Sequence, residues 1–397
     1  MNLYLSLLNQ RLMTTNKFEG RLLEQKEMVV RYHKVENSQE LAEYNSLDKV
    51  VNTPAFQDNK QKLLKTKYHD THEGKTAIRF KRLSMHPSVR LYLANKDDAK
   101  KAARYLKKQV IQRYIALLSE TQKDEFQKEN AFWKNAKRWY TTEESKQDAR
   151  YNELKNNPDI RFYLSVDPKQ IKELETFTET LHDDFDWSVL SDSQWKAGFA
   201  YPSKEFRAHH SYTNDRLAYN QGQNVKVNDS ILHIYTKKHA TVAPAWDTNK
   251  GLLMHQFQYT SDVLQNADAT GITGGVIQVK AQGIGNLIHG VYLCGKKAQP
   301  IVSVFESHNN ILYASAVSEK STYHHKIGKK PFGFFIYTLV WNKEELIWYV
   351  NNIEVGRTRN TLPAEPLYIQ LRTSAPTSKK ASEGQLEVDW VRVFTQK

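Results

Sequence analysis

Near residue 180 the chain changes its hydrophobic period, and no single layer of structure accommodates both halves. From about Phe18 to Phe177 apolar residues recur every three or four positions in a background rich in Leu, Lys, Glu, Gln and Ala and poor in glycine. This is the pattern of amphipathic helices. Beyond Leu181 glycines and β-branched residues multiply, and apolar and polar residues alternate. Ile231 to Tyr235, Gly275 to Lys280, Ile347 to Val350 and Leu386 to Val393 read as short strands separated by turns, which argues for an antiparallel sandwich. The expected architecture is multi-domain, α then β: helical repeats over 1–178 and a β-sandwich of the concanavalin A-like, jelly-roll kind over 180–397.

The helical half is internally repetitive. Placing residues 73–97 over 144–168, an offset of 71, superposes Glu73, Lys75, Arg79, Leu83, Pro87, Arg90, Tyr92 and Leu93 on Glu144, Lys146, Arg150, Leu154, Pro158, Arg161, Tyr163 and Leu164. A weaker copy starts at Tyr44 and reaches Pro54. Repeat units are placed near 40–97 and 130–168. In each, the proline disfavours helix for the residue before it and suits the first turn of the next helix, so it marks a helix–turn–helix junction. The arrangement resembles FF-type helical repeats, which are protein-interaction modules. Ala99 to Leu118 reads as one long amphipathic helix, with Ala103, Leu106, Val110, Tyr114 and Leu117 as its stripe. A last helix is expected near Lys169 to Thr180.

Composition narrows the functional classes. Cys294 is the only cysteine, so the chain forms no internal disulfide, and a reducing, cytoplasmic setting is expected, with Cys294 a small buried hydrophobe. The opening Leu3 to Leu8 lacks the preceding charge and cleavage site of a signal peptide, and no stretch has the roughly 20 apolar residues of a membrane span, so no membrane partner is expected. The net charge is +13, and residues 1–180 hold 34 Lys and Arg against 25 Asp and Glu. The runs Lys60 to Lys67 and Lys100 to Lys108, with Trp133, Trp139 and Tyr140 nearby, would suit phosphates and bases. The solvated faces of helices account for the same residues, so nucleic acid is not the favoured partner. His209-His210 and His324-His325 are adjacent pairs whose side chains point to opposite faces of a strand, a poor chelate. No metal is expected, and no phosphate-cradling loop is present to imply a nucleotide cofactor.

Four stretches in the second half, taken in order, resemble glycoside hydrolase family 16, the laminarinase-like sandwiches. They are Asp183-Asp184-Phe185 with Trp195; Thr270 to Ala281; Leu339 to Asn352 running on to Ile369; and Val388 to Val393. The tryptophans Trp341, Trp348 and Trp390 are expected in the core. The resemblance implies that the chemistry sits on one strand written E-x-D-x-x-E or E-x-D-x-E, with a nucleophile, an orienting Asp and an acid/base, and that the two glutamates lie about 5–5.5 Å apart for a retaining reaction. Here that strand reads Pro300 to Glu306. Ile301 stands at the nucleophile position, Ser303 at the Asp position, and Glu306 alone matches, as the acid/base. By the same resemblance Tyr292, His289, His308 and Trp246 are candidate substrate-binding residues.

An isoleucine cannot attack an anomeric carbon. The resemblance therefore implies a carbohydrate-binding domain, for a polysaccharide or oligosaccharide, with impaired catalysis, joined to helical repeats that bind a protein. Two alternatives stand beside it: an active glycosidase on a β-glucan or galactan using Glu306 with an unconventional second group, and a scaffold with no sugar ligand.

Overall fold

The computed structural model describes residues 11–190, 193–199, 211–266, 271–295 and 299–396. The chain divides into two compact units, one formed by 30–168 and the other by 1–29 with 169–397. Among the described residues there are eleven α-helices: α1 Thr15–Glu36, α2 Gln39–Val51, α3 Pro54–Lys65, α4 His72–Ser84, α5 Pro87–Ala94, α6 Ala99–Leu106, α7 Gln109–Thr121, α8 Asp124–Lys134, α9 Glu143–Lys155, α10 Pro158–Ser165 and α11 Pro168–Leu174. No helix is long and apolar enough to cross a membrane. Leu3 to Leu8 and the His209-His210 pair lie outside the described residues, as does Thr270.

In the helical unit the prolines sit where the sequence places them. Pro54, Pro87 and Pro158 each open a helix, behind caps in which Thr53, His86 and Asn157 accept hydrogen bonds from first-turn backbone N–H groups. The offset of 71 carries α4 onto α9 and α5 onto α10 at both ends. The repeats nevertheless do not fold as separate modules. Leu41, Tyr44, Val51, Phe56 and Leu63 of α2 and α3 share a core with Trp139 and with Tyr151, Leu154 and Ile160 of α9 and α10. Val89 of α5 packs with Ile111 and Tyr114 of α7, flanked by Phe80 and Leu83 of α4. The first half of one unit thus closes on the last two helices of the other, and its second half closes on α7, which lies between the two units.

Polar contacts follow the same exchange. Tyr151 donates to Asp48 Oδ1 at 2.8 Å, Lys60 Nζ meets Asp148 at 2.7 Å, and Tyr68 donates to Asn130 Oδ1 at 2.7 Å. Tyr44 and Tyr151 stack with ring centroids 5.5 Å apart.

Two helical expectations are corrected. Ala99 to Leu118 is two helices, broken where Lys108 turns extended at φ −81, ψ 129 and serves as the cap of α7. The break lets Ala102 and, on a different phase, Ile111 and Tyr114 be buried, which one straight rod of roughly 30 Å would not allow in so small a unit. The helix placed near Lys169 to Thr180 ends at Leu174, and Phe177–Asp183 is a strand paired with Gly384–Gln396. The β-branched Thr178 and Thr180 alternate with half-buried neighbours there, a pattern of period two.

The second unit is a two-sheet sandwich. Among the described residues one sheet has seven antiparallel strands in the spatial order Thr322–Lys329, Ile311–Val317, Ile301–His308, Ile288–Cys294, Tyr368–Ser374, Val263–Gln265, Lys196–Ala197. The other runs from Ile353–Arg359 through Glu345–Val350, Phe335–Trp341, Gly275–Ile284 and Gly384–Gln396 to Ile231–Asp247 and its neighbours. Alternate residues of both fill one core, including Leu232, Ile277, Val279, Val291, Leu293, Phe305, Leu339, Trp348, Leu371 and Val391. Trp341, Trp348 and Trp390 are all buried.

The segment before α2 belongs to this sandwich as well. Met13 donates its N–H to Asn352 and accepts at its carbonyl from Asn351, while Thr15 donates to Phe334 O. Glu19 accepts from the Trp390 indole at 2.8 Å and from Lys280 at 3.0 Å, and Lys280 also pairs with Asp389 at 2.8 Å.

Candidate functional site

Strand alternation decides which residues of Ile288–Cys294 and Ile301–His308 can meet. Along the first, His289, Val291 and Leu293 face one way and Gly290, Tyr292 and Cys294 the other. The second pairs Cys294 with Ile301 and Tyr292 with Ser303, then skips one residue so that Val291 opposes Phe305 and Gly290 opposes Glu306. That bulge, at Val304, returns Glu306 to the face carrying Ile301 and Ser303. The three positions of the carboxylate motif thus share one side of the seven-stranded sheet, the side away from the core. The indole of Trp348, reaching from the other sheet, donates to Ser303 O at 2.6 Å beside the bulge.

Glu306 is held from several directions. It is 6% exposed. His308 Nε2 donates to its Oε1 at 2.5 Å, the Ser315 hydroxyl donates to Oε2, and His324 Nε2 lies 3.8 Å from Oε1. Burial pushes the carboxyl up, but the hydrogen bonds from His308 and Ser315 and the charges of His308 and His324 outweigh it and hold the group below the usual carboxylate range. The Tyr313 ring lies 4.5 Å from that of His308 and stacks on His324 at 4.6 Å. Nitrogen and oxygen ligand atoms of Glu306, His308 and His324 all lie within 4.8 Å of one another.

Next to this cluster the same face is filled. Tyr292 is 4% exposed, its ring lying where a side chain on Gly290 would stand: a Cβ there would come within 2.0 Å of the ring. The Arg372 guanidinium sits 4.8 Å over that ring. Burial, with Glu306 adding, pushes the Tyr292 phenol well up. Ser303 is wholly buried, accepting from Ser315 N–H at 2.8 Å and donating to Ser315 O at 3.3 Å. Cys294 is buried and donates to Gln370 Oε1 at 3.6 Å, and burial pushes its thiol up to about 11.

The remaining sequence candidates are elsewhere. His289 faces the core, where its ring packs so close to Gly283 that a Cβ there would lie 2.5 Å away. It bonds Ile284 O at 3.0 Å, and burial pushes its pKa down to about 3, so the ring is neutral. Trp246 belongs to the other sheet, opposite Leu252. Of the proposed set, Glu306, His308 and Tyr292 share the outer face with Ile301 and Ser303. Sequence reading met His324 only in the pair His324-His325, set aside as a poor chelate, and missed Ser315, Tyr313 and Arg372. None has a linear signal; only the register, which sets His324 opposite Ser315 two strands from Glu306, brings them together.

Chemically, the cluster is an ionised carboxylate flanked by two imidazoles, with a half-buried aromatic ring beside them. In sequence, residues 302–392 match the family model described as Glycosyl hydrolases family 16. No curated protein matches the sequence. Similar solved structures include the laminarinase catalytic domain of Thermotoga maritima, at 15% identity over 56% of this chain and 99% of that chain with a TM-score of 0.43. They also include an endo-beta-1,3-glucanase from Pyrococcus furiosus, at 15% identity over 56% and 95% with a TM-score of 0.44. A laminarinase from Flavobacterium sp. is similar at 17% identity over 55% and 100%, with a TM-score of 0.43. Residues 302–392 of this chain therefore resemble glycosyl hydrolases family 16 in sequence.

Proposed function

We propose that the sandwich binds carbohydrate without performing the retaining glycosidase reaction, and that the helical unit binds a protein partner. The observation that carries this reading is the single outer face on which Ile301, Ser303 and Glu306 align. A retaining enzyme needs a nucleophile and an acid/base on that face. Ile301 offers no nucleophile, and Ser303 no charge to split the carboxyl pKa values. An acid/base also has to carry its proton near working pH, which raised carboxyl pKa values achieve. The Glu306 carboxyl is held down instead.

Support for a sugar ligand comes from the stacked pair of Tyr313 and His324, which lies beside the His308 that bonds Glu306 and is partly open to solvent. Aromatic faces and a carboxylate acceptor are what a pyranose ring and its hydroxyls bind. The similar structures are described as laminarinases and an endo-beta-1,3-glucanase, so β-1,3-glucan is the first ligand to try.

The test is titration calorimetry of the full chain with laminarin oligosaccharides, alongside a reducing-end assay on laminarin and lichenan. Binding without release is expected, with binding weakened in Tyr313→Ala. Release of reducing ends that Glu306→Gln abolishes would establish an active glycosidase instead, and absence of binding across a glycan array would remove the carbohydrate half of the proposal.

A further inference from the structure

We propose that Glu306, His308 and His324 form a site for one divalent cation of the zinc class, on the outer face of the seven-stranded sheet. Three separate features of the geometry converge on it. The donors are gathered: Glu306 and His308, two apart on one strand, point the same way, and His324 reaches them from two strands over, with all three ligand atoms within 4.8 Å of one another. A tetrahedral ion with ligands near 2.0–2.1 Å separates its donors by about 3.3 Å. The Glu306 Oε1 separations of 2.5 Å to His308 and 3.8 Å to His324 bracket that value. A rotation of His324, which is exposed on its strand, toward Oε1 and a small shift of half-buried His308 away from it bring both to the required spacing.

The donors are also oriented. The Ser315 hydroxyl occupies Oε2, leaving Oε1 turned toward both imidazoles, which is how ligating carboxylates are held by outer partners. Tyr313 packs on His308 and His324 together, so one ring lies against both imidazoles. The donor set then selects the ion. Two imidazole nitrogens and one carboxylate oxygen suit zinc-type ions, whereas calcium and magnesium take oxygen ligands throughout. Three protein ligands leave a fourth position, and the gradient from buried Glu306 through half-buried His308 to exposed His324 turns it toward solvent. The adjacent pair His324-His325 contributes only its first member, because His325 faces the opposite way and stacks on Tyr323.

This site does not depend on the sandwich binding sugar, and its test is separate. Tag-free full-length protein, stripped with chelator, is titrated with Zn²⁺ by calorimetry and with Co²⁺ by visible absorption. One ion per chain and the intense visible bands of four-coordinate Co²⁺ are expected. His324 is exposed, so His324→Ala keeps the fold, verified by circular dichroism. Loss of an outer partner alone weakens a metal site about 10–100-fold, so loss of this ligand should weaken Zn²⁺ binding by more than about 100-fold. His308→Ala should do the same, and His325→Ala should leave affinity unchanged. No stoichiometric binding, binding undiminished in His324→Ala, equal loss in His325→Ala, or a preference for Ca²⁺ over Zn²⁺ would each overturn the assignment.

Discussion

Replacing Ile301 by Glu and Ser303 by Asp writes the full carboxylate motif back into the strand, and the surroundings of Ser303 set the cost of doing so. Ser303 is wholly buried, and its hydroxyl both accepts from Ser315 N–H at 2.8 Å and donates to Ser315 O at 3.3 Å. An aspartate inherits the accepting role and loses the donating one, a hydrogen bond worth about 1 kcal/mol. It also sets an anion near a carbonyl, with none of the groups bonded to Ser303 carrying charge, and an uncompensated buried charge costs about 3–5 kcal/mol. Ile301 is half-buried, and exchanging its apolar surface for a carboxylate adds about 1–2 kcal/mol.

The double variant should therefore lose about 5 kcal/mol or more, comparable to the whole stability of a marginal domain. Urea unfolding followed by tryptophan fluorescence measures this in the right place, since six of the eight tryptophans lie after residue 180. The expected result is a large fall in midpoint and no reducing-end release from laminarin. A variant as stable as the parent that hydrolyses laminarin would refute the reasoning, because the face would then be an intact retaining site lacking only its acids.

Other outcomes rest on individual groups. Because the folded-state pKa of Glu306 is depressed, its contribution to stability is complete above the unfolded value of about 4.3 and is lost as pH falls through the folded one. The stability gap between the parent and Glu306→Gln should thus close as pH falls below ~5. Asp262, which accepts three backbone N–H bonds but is raised to about 6 by burial, should show a carboxyl midpoint near there by NMR titration, with stability declining as pH rises from about 4 to 6. Tyr151→Phe removes a hydroxyl that donates to Asp48 and accepts from Asn52, and should cost the helical unit about 1 kcal/mol by thermal unfolding. Residues 39–97 alone should be unfolded by circular dichroism, whereas 30–168 should fold; an independently folded 39–97 would contradict the exchanged pairing of the repeats.

Much of the architecture was legible because period and punctuation are local. Alternation announced the sandwich, three- and four-residue spacing announced the helices, and Pro54, Pro87 and Pro158 stood at helix starts because an imino acid lacks the N–H that such positions leave unused. What escaped was non-local. Similar repeats carry similar complementary faces, so sequence alone does not say that α2 and α3 choose α9 and α10. The stripe from Ala103 to Leu117 fits one helix or two, and the break at Lys108 is decided by the core it has to enclose. The Glu306 cluster shows the same limit at a site. His308 is near in sequence, but Ser315 and His324 arrive through register. His289, one residue from the outer-facing Gly290, points into the core because a period of two reverses a side chain with every step.

The attachment of Met13, Thr15 and Glu19 to the sandwich changes how the helical unit is tied into the molecule. Residues 30–168 leave that sandwich after residue 29 and re-enter it at residue 169, so in chain topology they form an insertion with two covalent tethers. A protease cutting once between the units would not release the helices: the other tether keeps their effective local concentration high. After a single cut near residue 168, separation further requires detachment of the early segment, which the Glu19 contacts to Trp390 and Lys280 resist. Two covalent tethers therefore join the helical unit to the sandwich, where a domain at a chain end would have one.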